Sequence, residues 1–300
     1  MTLVDGKTEL YGIIGNPVRH SLSPVMQNAA FAVMGMNKLY VPMEAPDLRN
    51  AMIGLRALGF KGVSVTVPHK ENVLAFLDEI DPLAEKMGAV NTLLLRQDSV
   101  GQTIVCGFNT DWLGANAALA AEHLDLQKSR VLIAGAGGSA KAVAFGLVQA
   151  GAEVVITNRT TANGEALASW LNCEFIPLAD LAWLNADVLI NTTSVGMEPD
   201  ADGIIIPPTM LSKFTVVMDI VYAPLNTRLL REAKAAGCRT IDGLAMLVYQ
   251  GVEQFKIWTG KTAPELVMRS ALEEELRRRA GCSSAGNCGG TDPSACRKKL

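Results

Sequence analysis

The chain has 300 residues, with 27 Lys plus Arg and 30 Asp plus Glu, so its formal net charge is −3 at pH 7. A hydrophobic fraction of 49% excludes a chain too polar to fold, and the length predicts about two domains. The lack of a basic excess argues against a nucleic-acid partner, and Arg277–Arg279 is only a short basic block. No apolar run is long enough for a signal peptide or a membrane span, so we expect a cytoplasmic protein without a membrane partner.

Short β-branched segments alternate with longer amphipathic segments along most of the chain. The predicted strands are Leu10–Ile14, Gly62–Val67, Arg130–Ala134, Glu153–Thr157, Asp187–Asn191 and Thr215–Ile220. The predicted helices are Pro24–Met34, Asp47–Leu58, Lys70–Leu77, Lys141–Ala150, Asn163–Leu171 and Asn226–Ala236. Such alternation is typical of α/β proteins with mainly parallel sheets.

The first third of the chain contains polar residues placed at turns and at strand ends. Ser21 and Ser23 are separated by one residue, so in an extended segment their hydroxyls point to the same side. Lys70 follows a predicted strand, and Asn91 and Asp111 come in two later turn-like segments. Taken singly, these residues fit helix caps, turns and an exposed lysine as well as they fit a functional site.

The segment Arg130–Ala140 reads RVLIAGAGGSA and predicts a strand, a glycine-rich turn and the start of a helix. This is the GxGxxA form of the dinucleotide-binding fingerprint. Gly135 permits the tight turn, Gly137 lets the backbone approach a pyrophosphate, and Ala140 allows the helix to pack closely on the strand. The N-terminus of the following helix offers free N–H groups to phosphates, so we expect a bound nucleotide.

The next strand is followed by Asn158, Arg159 and Thr160. In NAD-selective folds, the end of this strand carries an Asp or Glu for the ribose hydroxyls. A guanidinium at this position instead suits the additional phosphate of NADP. NADP (NADPH) is therefore the expected cofactor.

Eight motifs together resemble the shikimate dehydrogenase family in order and spacing, over about residues 8–273. They are SLSP at 21–24, VTVPHK at 65–70, GAVNT at 88–92, GFNTD at 107–111, GAGGSA at 135–140, NRT at 158–160, DIVYAPLNT at 219–227 and DGLAMLVYQG at 242–251. The resemblance implies an oxidoreductase that reversibly reduces 3-dehydroshikimate to shikimate in aromatic amino acid biosynthesis. It also implies two α/β domains around a cleft, with residues 1–106 and 244–280 binding substrate and residues 107–243 forming a Rossmann NADP-binding domain.

The resemblance also assigns roles to residues at the motif positions. It implies that Lys70 and Asp111 form the catalytic pair. The residues implied for the substrate are Ser21, Ser23 and Tyr222 at its carboxylate, and Thr66, Asn91 and Gln250 at its ring hydroxyls. The residues implied for the cofactor are Gly135, Ala136, Gly137, Gly138, Ser139, Asn158, Arg159 and Thr160, with Ile220 and Gly243 lining the nicotinamide site. No metal is expected, and the chain is expected to be a monomer or a homodimer.

Two positions depart from the family pattern. Gln27 stands where many members carry His, and Asn163 stands where many NADP-using members have a second basic residue. The second departure keeps an alternative open, a quinate/shikimate dehydrogenase that uses NAD. A non-catalytic paralogue that binds shikimate-type metabolites is disfavoured because Lys70 and Asp111 are both present. A different two-domain Rossmann enzyme, such as a folate-dependent methylene dehydrogenase, would not need the SLSP motif.

The C-terminal segment 281–300 differs from the rest in composition, because it is rich in Gly, Ser and Cys and Leu300 is its only large aliphatic residue. Such a segment cannot offset its ordering entropy by burial, so it is predicted to be a disordered tail. The spacing of its three cysteines fits no common zinc site. Cys106, Cys173 and Cys238 are predicted to be free thiols in apolar surroundings.

Overall fold

The computed structural model describes residues 4–285, which form two α/β units, each built on a six-stranded sheet. The first sheet has the strand order β2-β1-β3-β5-β6-β4. Its strands are β1 (Glu9–Gly15), β2 (Lys38–Glu44), β3 (Gly62–Val65), β4 (Glu79–Ile80), β5 (Thr92–Gln97) and β6 (Thr103–Phe108). The helices of this part of the chain are α1 (Ser23–Val33), α2 (Leu48–Ala57) and α3 (Pro82–Met87).

The first sheet is mixed. Strand β1 pairs in parallel with β2 and β3, whereas β5 runs antiparallel to both β3 and β6. The segment Lys70–Leu77, predicted as a helix, contains instead a short 3-10 helix at Asn72–Phe76. The backbone carbonyl of Lys70 accepts a hydrogen bond from Val90 N at 2.8 Å. This pairing fixes Lys70 against the β5 side of the sheet and keeps it out of a helix.

The second sheet is entirely parallel, with the strand order β12-β11-β10-β7-β8-β9. Helix α4 (Asp111–Ala121) leads into it from the first unit. Its strands are β7 (Arg130–Ala134), β8 (Glu153–Thr157), β9 (Glu174–Phe175), β10 (Val188–Asn191), β11 (Val216–Asp219) and β12 (Arg239–Ile241). The helices of this unit are α5 (Gly138–Gln149), α6 (Thr161–Leu171) and α7 (Arg228–Ala235). The strand order reverses between β7 and β10, as in a Rossmann sheet, and nucleotides bind at such a reversal.

Two C-terminal helices, α8 (Gly243–Thr259) and α9 (Glu265–Ala285), return the chain to the first unit. Helix α8 contributes to both cores: Leu244 and Phe255 pack in the core of the first unit, and Met246 packs in the core of the second. Trp258 Nε1 donates a hydrogen bond to Leu93 O at 2.9 Å, which attaches the end of α8 to β5. Because α8 carries apolar residues toward both cores, it fixes the cleft between the two units.

The described residues end inside the segment 281–300, which is predicted to be a disordered tail. Residues 281–285 of the predicted tail belong to helix α9, and residues 286–300 lie outside the described residues. Cys106, Cys173 and Cys238 are free thiols. Within residues 4–285, no helix combines the length and the apolar character needed to cross a lipid bilayer.

Candidate active site

A cleft of about 200 Å³ lies between the two units and is lined by residues from both. It brings together residues from β1, β3, α1, α4, α8 and the first turn of α5. The predicted site residues that line it are Ser21, Ser23, Thr66, Lys70, Asn91, Asp111, Ser139, Ile220, Tyr222, Gly243 and Gln250. The structure therefore brings together the residues that are predicted to be catalytic or to bind substrate, although they are spread along the chain from Ser21 to Gln250.

Lys70 and Asp111 form an ion pair in this cleft, with 2.6 Å between Nζ and Oδ2. The side chains are 18% and 9% exposed, so the pair is largely withdrawn from water while one side stays open to the cleft. Asp111 is the first residue of α4, where the helix dipole favours a carboxylate. The arrangement holds an ammonium group in a fixed direction, as a proton donor to a substrate oxygen requires.

Asn91 supports the carboxylate of Asp111 from its other side. Asn91 Nδ2 donates to Asp111 Oδ1 at 2.8 Å and to Thr110 Oγ1 at 3.1 Å. Asn91 Oδ1 accepts from Thr110 N at 2.8 Å and from Thr92 Oγ1 at 2.7 Å. These partners use both amide hydrogens, so Asn91 lies in the wall of the cleft with its amide directed at Asp111.

The two serines lie at the N-terminus of α1, which begins at Ser23. Ser21 Oγ accepts a hydrogen bond from Ser23 N at 3.2 Å. Tyr222, in the loop after β11, lines the same cleft. Burial raises the pKa of its phenol, and the positive charge of Arg279 partly offsets this increase. Two hydroxyls and a phenol beside a helix N-terminus can hold a carboxylate by hydrogen bonds and by the helix dipole.

Helix α8 contributes two glutamines to the same face, and sequence reasoning missed the second one. Gln250 lines the cleft and donates from Nε2 to Leu247 O at 2.7 Å. Gln254 accepts from Ser64 Oγ at 2.8 Å and donates to Thr92 Oγ1 at 3.0 Å. Gln254 follows Gln250 by four residues and therefore lies on the same helix face. This spacing could have predicted Gln254 as a site residue from the sequence.

The glycine-rich turn has the shape that a pyrophosphate needs. Gly135 has φ +128°, and a Cβ there would collide with Thr192 Oγ1. A Cβ on Gly137 or Gly138 would meet no atom within 4 Å, so the space beside this backbone is open. Helix α5 begins at Gly138, and the N–H groups of its first turn have no partner within the helix. Gly135, Ala136, Gly137, Gly138 and Ser139 therefore fit the phosphates of a dinucleotide.

Asn158, Arg159 and Thr160 follow β8, the neighbour of β7 in the sheet. Asn158 Nδ2 donates to Thr160 O at 2.9 Å, which closes the turn, and Arg159 is exposed. No carboxylate occupies this turn, so a phosphate on the adenosine ribose would meet a guanidinium and no like charge. The turn lies apart from the catalytic cleft and on the same sheet edge as Gly135.

Ile220 and Gly243, which are predicted to line the nicotinamide site, both line the cleft. A Cβ on Gly243 would lie 2.6 Å from Ile220 O, so the start of α8 approaches the loop after β11 backbone to backbone. Asp219 anchors this loop: its carboxylate accepts from Val221 N at 3.0 Å and from Thr227 Oγ1 at 2.7 Å. Burial raises the pKa of Asp219 to about 6, in spite of these hydrogen bonds.

Three models of known protein families match this chain, and together they cover parts of both units. A model of the shikimate dehydrogenase substrate binding domain matches residues 13–93, one of shikimate / quinate 5-dehydrogenase matches residues 118–200, and one of the shikimate 5′-dehydrogenase C-terminal domain matches residues 243–273. A relative from Methanosarcina acetivorans, shikimate dehydrogenase (NADP(+)), is 45% identical over 281 residues, covering 89% of this chain and 99% of the relative. The chain belongs to the shikimate dehydrogenase family.

Solved structures of shikimate dehydrogenases share the fold. A crystal structure of a shikimate dehydrogenase in complex with NADP+ superposes with a TM-score of 0.85 at 40% identity, covering 92% of this chain and 98% of that one. The enzyme of Thermus thermophilus, in complex with NADP(H) and shikimate, gives a TM-score of 0.80 at 38% identity, covering 89% and 99%. A quinate dehydrogenase from Corynebacterium glutamicum in complex with NAD gives a TM-score of 0.80 at 30% identity, covering 89% of this chain and 99% of that one. The predictions of this family and of an α/β fold with a Rossmann unit are confirmed.

Proposed function

We propose that this member of the shikimate dehydrogenase family is an NADP-dependent enzyme that reversibly reduces 3-dehydroshikimate to shikimate, a step of aromatic amino acid biosynthesis. The observation that carries the proposal is the Lys70–Asp111 pair in a cleft that also contains Ser139, at the end of the glycine-rich turn. The Methanosarcina relative bears the name of this activity, and the Thermus structure contains both NADP(H) and shikimate.

Bound NADPH supplies a hydride to the carbonyl carbon of the substrate. We assign to Lys70 the transfer of a proton to the carbonyl oxygen as it becomes a hydroxyl, and the return of that proton in the oxidation of shikimate. The ammonium also stabilises negative charge developing on the same oxygen. Asp111, 2.6 Å away, keeps the Lys70 ammonium directed at the substrate.

The remaining cleft residues orient the substrate in this proposal. Ser21, Ser23 and Tyr222 bind its carboxylate, and Thr66 and Gln250 bind ring hydroxyls from the opposite wall. Asn91 acts on the ring through the position that it gives Asp111. The direct hydrogen bond to a ring hydroxyl that the family resemblance implies would require one amide hydrogen to leave Asp111 or Thr110 when substrate binds.

The cofactor spans the edge of the parallel sheet. The pyrophosphate lies at Gly135–Ser139, the adenosine phosphate at Asn158–Thr160, and the nicotinamide between Ile220 and Gly243. Residues 1–106 and 244–280 then form the substrate-binding and catalytic domain, and residues 107–243 form the NADP-binding domain. We place the enzyme in the cytoplasm, where NADPH supports biosynthesis, as a monomer or a homodimer.

The test is turnover of shikimate with NADP and with NAD, measured side by side by the absorbance of the reduced cofactor, with quinate as a second substrate. The proposal expects shikimate with NADP to have the highest kcat/KM. A preference for quinate with NAD would favour the quinate/shikimate alternative. Absence of turnover with every combination, in a folded protein that binds shikimate, would favour a non-catalytic metabolite-binding protein.

A further inference from the structure

Asp219, the last residue of β11, is a buried acidic group that the proposed mechanism does not use. The residue is 0% exposed, and it lies opposite Asn191, the last residue of β10, in the parallel sheet. Removing a carboxylate from water is costly unless hydrogen bonds replace the lost hydration. The hydrogen bonds of Asp219 therefore show what this side chain holds in place.

The two oxygens of this carboxylate accept hydrogen bonds from different parts of the chain. Oδ1 accepts from Val221 N at 3.0 Å and from Asn191 Nδ2 at 2.9 Å. Oδ2 accepts from Thr227 Oγ1 at 2.7 Å, and Thr227 caps the N-terminus of α7 by accepting from Leu230 N at 3.3 Å. Oδ1 therefore holds the loop that follows β11, and Oδ2 holds the start of the next helix.

The loop that Oδ1 holds, residues 220–222, carries two residues of the cleft. Ile220 and Tyr222 line the cleft, whereas Val221 and Asp219 do not. The N–H group that donates to Asp219 belongs to Val221, which lies between the two cleft residues in the chain. A displacement of Val221 therefore moves Ile220 and Tyr222 together.

Helix α8 closes the other side of the 220–222 loop. A Cβ on Gly243 would lie 2.5 Å from Val221 O and 2.6 Å from Ile220 O, so the two backbones are in close contact. Ile220 N donates to Asn191 O at 3.1 Å, next to the bond between Val221 N and Asp219. The loop is therefore fixed between α8, which touches its carbonyl groups, and the ends of β10 and β11, which bind its N–H groups.

We propose that Asp219 is a positioning residue for hydride transfer, whose carboxylate holds the 220–222 loop in the place that the two ligands need. Ile220 then sets the position of the nicotinamide ring, and Tyr222 sets that of the substrate carboxylate. This inference rests on the proposed function and adds to it a residue that does not line the cleft. The phosphates of the cofactor lie elsewhere in that proposal, at Gly135–Ser139 and Asn158–Thr160, so their binding does not depend on Asp219.

Three variants of the full-length enzyme separate the functions of the two oxygens. Asp219→Ala removes both of them. Asp219→Asn keeps an acceptor at the place of Oδ1, and its amide group can donate to Thr227 Oγ1, so the 220–222 loop stays held. Thr227→Val is the matched control, because it removes the hydrogen bond at Oδ2 and the cap of α7 and leaves the bonds at Oδ1 intact.

The experiment measures ligand affinity and turnover of each variant. Titration calorimetry gives the Kd of NADP and that of 2′-phospho-ADP-ribose, the fragment of NADP that lacks the nicotinamide ring. Steady-state kinetics give kcat and the KM for shikimate, and urea unfolding gives the stability. All are run at about pH 8, where the Asp219 carboxyl is ionised, since burial raises its pKa to about 6.

We expect Asp219→Ala to weaken NADP by about threefold to tenfold, the range of one intramolecular hydrogen bond, and to raise the KM for shikimate by a similar factor. The fragment without nicotinamide should bind to it as tightly as to the parent. Asp219→Asn should stay within about twofold of the parent in each constant. Thr227→Val should be less stable than the parent and should bind NADP equally well. A purely structural role would lower the fraction of active protein and hence kcat, with Kd and KM unchanged.

If Asp219→Ala does not fold, Asp219→Ser takes its place. A serine hydroxyl can accept from the N–H group two residues ahead, so part of the hold on the loop remains. The affinity of Asp219→Ser for NADP should then fall by about twofold to threefold, again with unchanged affinity for the fragment.

Three outcomes overturn the inference: parent-like NADP binding in the folded Asp219→Ala or Asp219→Ser variant, equal weakening of NADP and of the fragment, or the same loss of NADP affinity in Thr227→Val. A loss in Asp219→Asn as large as that in Asp219→Ala would also overturn it, because the charge of the carboxylate and not its hold on the loop would then matter. Failure of the parent to turn over shikimate with NADP would overturn the proposed function itself, so the parent's kinetics tell the two failures apart.

Discussion

Asn91 and Lys70 hold the same carboxylate from opposite oxygens: Asn91 Nδ2 donates to Asp111 Oδ1 at 2.8 Å, and Lys70 Nζ lies 2.6 Å from Asp111 Oδ2. The carboxylate therefore has little freedom to rotate. Because Asn91 is itself fixed by Thr110 N and Thr92 Oγ1, the direction of the Lys70 ammonium is set by a chain of buried hydrogen bonds. The position of the Lys70 ammonium is thus a property of the β5–β6 hairpin and the start of α4.

Replacing Asn91 with Ala removes this support, and we expect kcat to fall by about tenfold or more, below the range for the acid–base groups themselves. The KM for shikimate should change less than kcat if the main role of Asn91 is to position Asp111. Loss of buried hydrogen bonds should also lower the free energy of unfolding by about 1–3 kcal/mol. Steady-state kinetics and urea unfolding measure the two effects. A large KM increase at unchanged kcat would instead support direct substrate binding.

Replacing Lys70 with Ala should lower kcat by about 100-fold or more, the range for a general acid–base group. Shikimate affinity, measured by calorimetry, should change much less. The kcat of Asp111→Ala and that of the double variant Lys70→Ala/Asp111→Ala should each fall by about the same factor as the kcat of Lys70→Ala. Substitutions of residues that act as one unit do not have additive effects. Lys86→Ala, at a lysine of helix α3, is the control. Turnover of Lys70→Ala within a few-fold of the parent would exclude the assigned role.

Ser21→Ala should raise the KM for shikimate by about tenfold, because one hydrogen bond to a charged group is worth roughly 1.5–3 kcal/mol. The Ser21 hydroxyl also accepts from Ser23 N at 3.2 Å, and water can take that place at the open mouth of the cleft. An analogue without the carboxylate should be insensitive to the substitution. If both compounds lose affinity equally, Ser21 has no specific role at the carboxylate.

Local chemistry made the cofactor half of the molecule predictable from sequence. The turn at Gly135 has φ +128°, a conformation that side chains rarely adopt, so a glycine is required there whatever the rest of the fold does. The predicted strand Arg130–Ala134 agrees with β7 residue for residue. The four inner strands of this unit, β7, β8, β10 and β11, are buried on both faces and are mainly apolar, which makes them easy to recognise.

The site residues of the substrate half are brought together by the pairing register of the strands and by helix packing, which the sequence does not show. Strand β2 contains Pro42 and lies at the sheet edge, so its pattern does not resemble a central strand. The contact of Asn91 with Asp111 exists because β5 and β6 pair with Thr92 opposite Phe108. Gln254 likewise reaches the site from a helix distant in the chain, and only the packing of that helix reveals it.

Asp219 gives the protein a defined pH dependence of stability. Burial raises its pKa from 3.8 to about 6 in the folded state, so as the pH rises the unfolded chain releases this proton before the folded protein does. The protonated Asp219 carboxyl therefore adds to the free energy of unfolding. This contribution is fully present below the unfolded pKa of 3.8 and is lost as the pH rises through about 6.

The corresponding test compares the parent with Asp219→Asn, which cannot titrate. Between about pH 5 and about pH 7 the parent should lose about 1 kcal/mol relative to the variant. Urea unfolding of both proteins at the two pH values gives this difference directly, and other titrating groups cancel because they are common to both. Parallel pH dependence in the two proteins would show that the carboxyl is ionised throughout the range.

We expect cofactor preference to depend on Arg159, which is exposed in the turn after β8. One charge-assisted contact with the ribose phosphate is worth about 1.5–3 kcal/mol, or roughly 10- to 150-fold in preference. Asn163 adds no second charge, so we expect the lower half of that range. Arg159→Ala should weaken NADP by this factor and leave NAD nearly unchanged, because NAD has no phosphate at this position.

The measurement is the ratio of kcat/KM for NADP to that for NAD, before and after the substitution. Arg228→Ala is the control, since Arg228 is also a partly exposed arginine of the second unit, at the start of α7, where it pairs with Glu232. It should leave the ratio unchanged, because α7 packs on β11 and β12, on the other side of β7 from β8. Equal weakening of both cofactors by Arg159→Ala would show that the guanidinium acts on the adenine ring that they share. A parent that already prefers NAD would contradict the NADP assignment and favour the quinate/shikimate alternative.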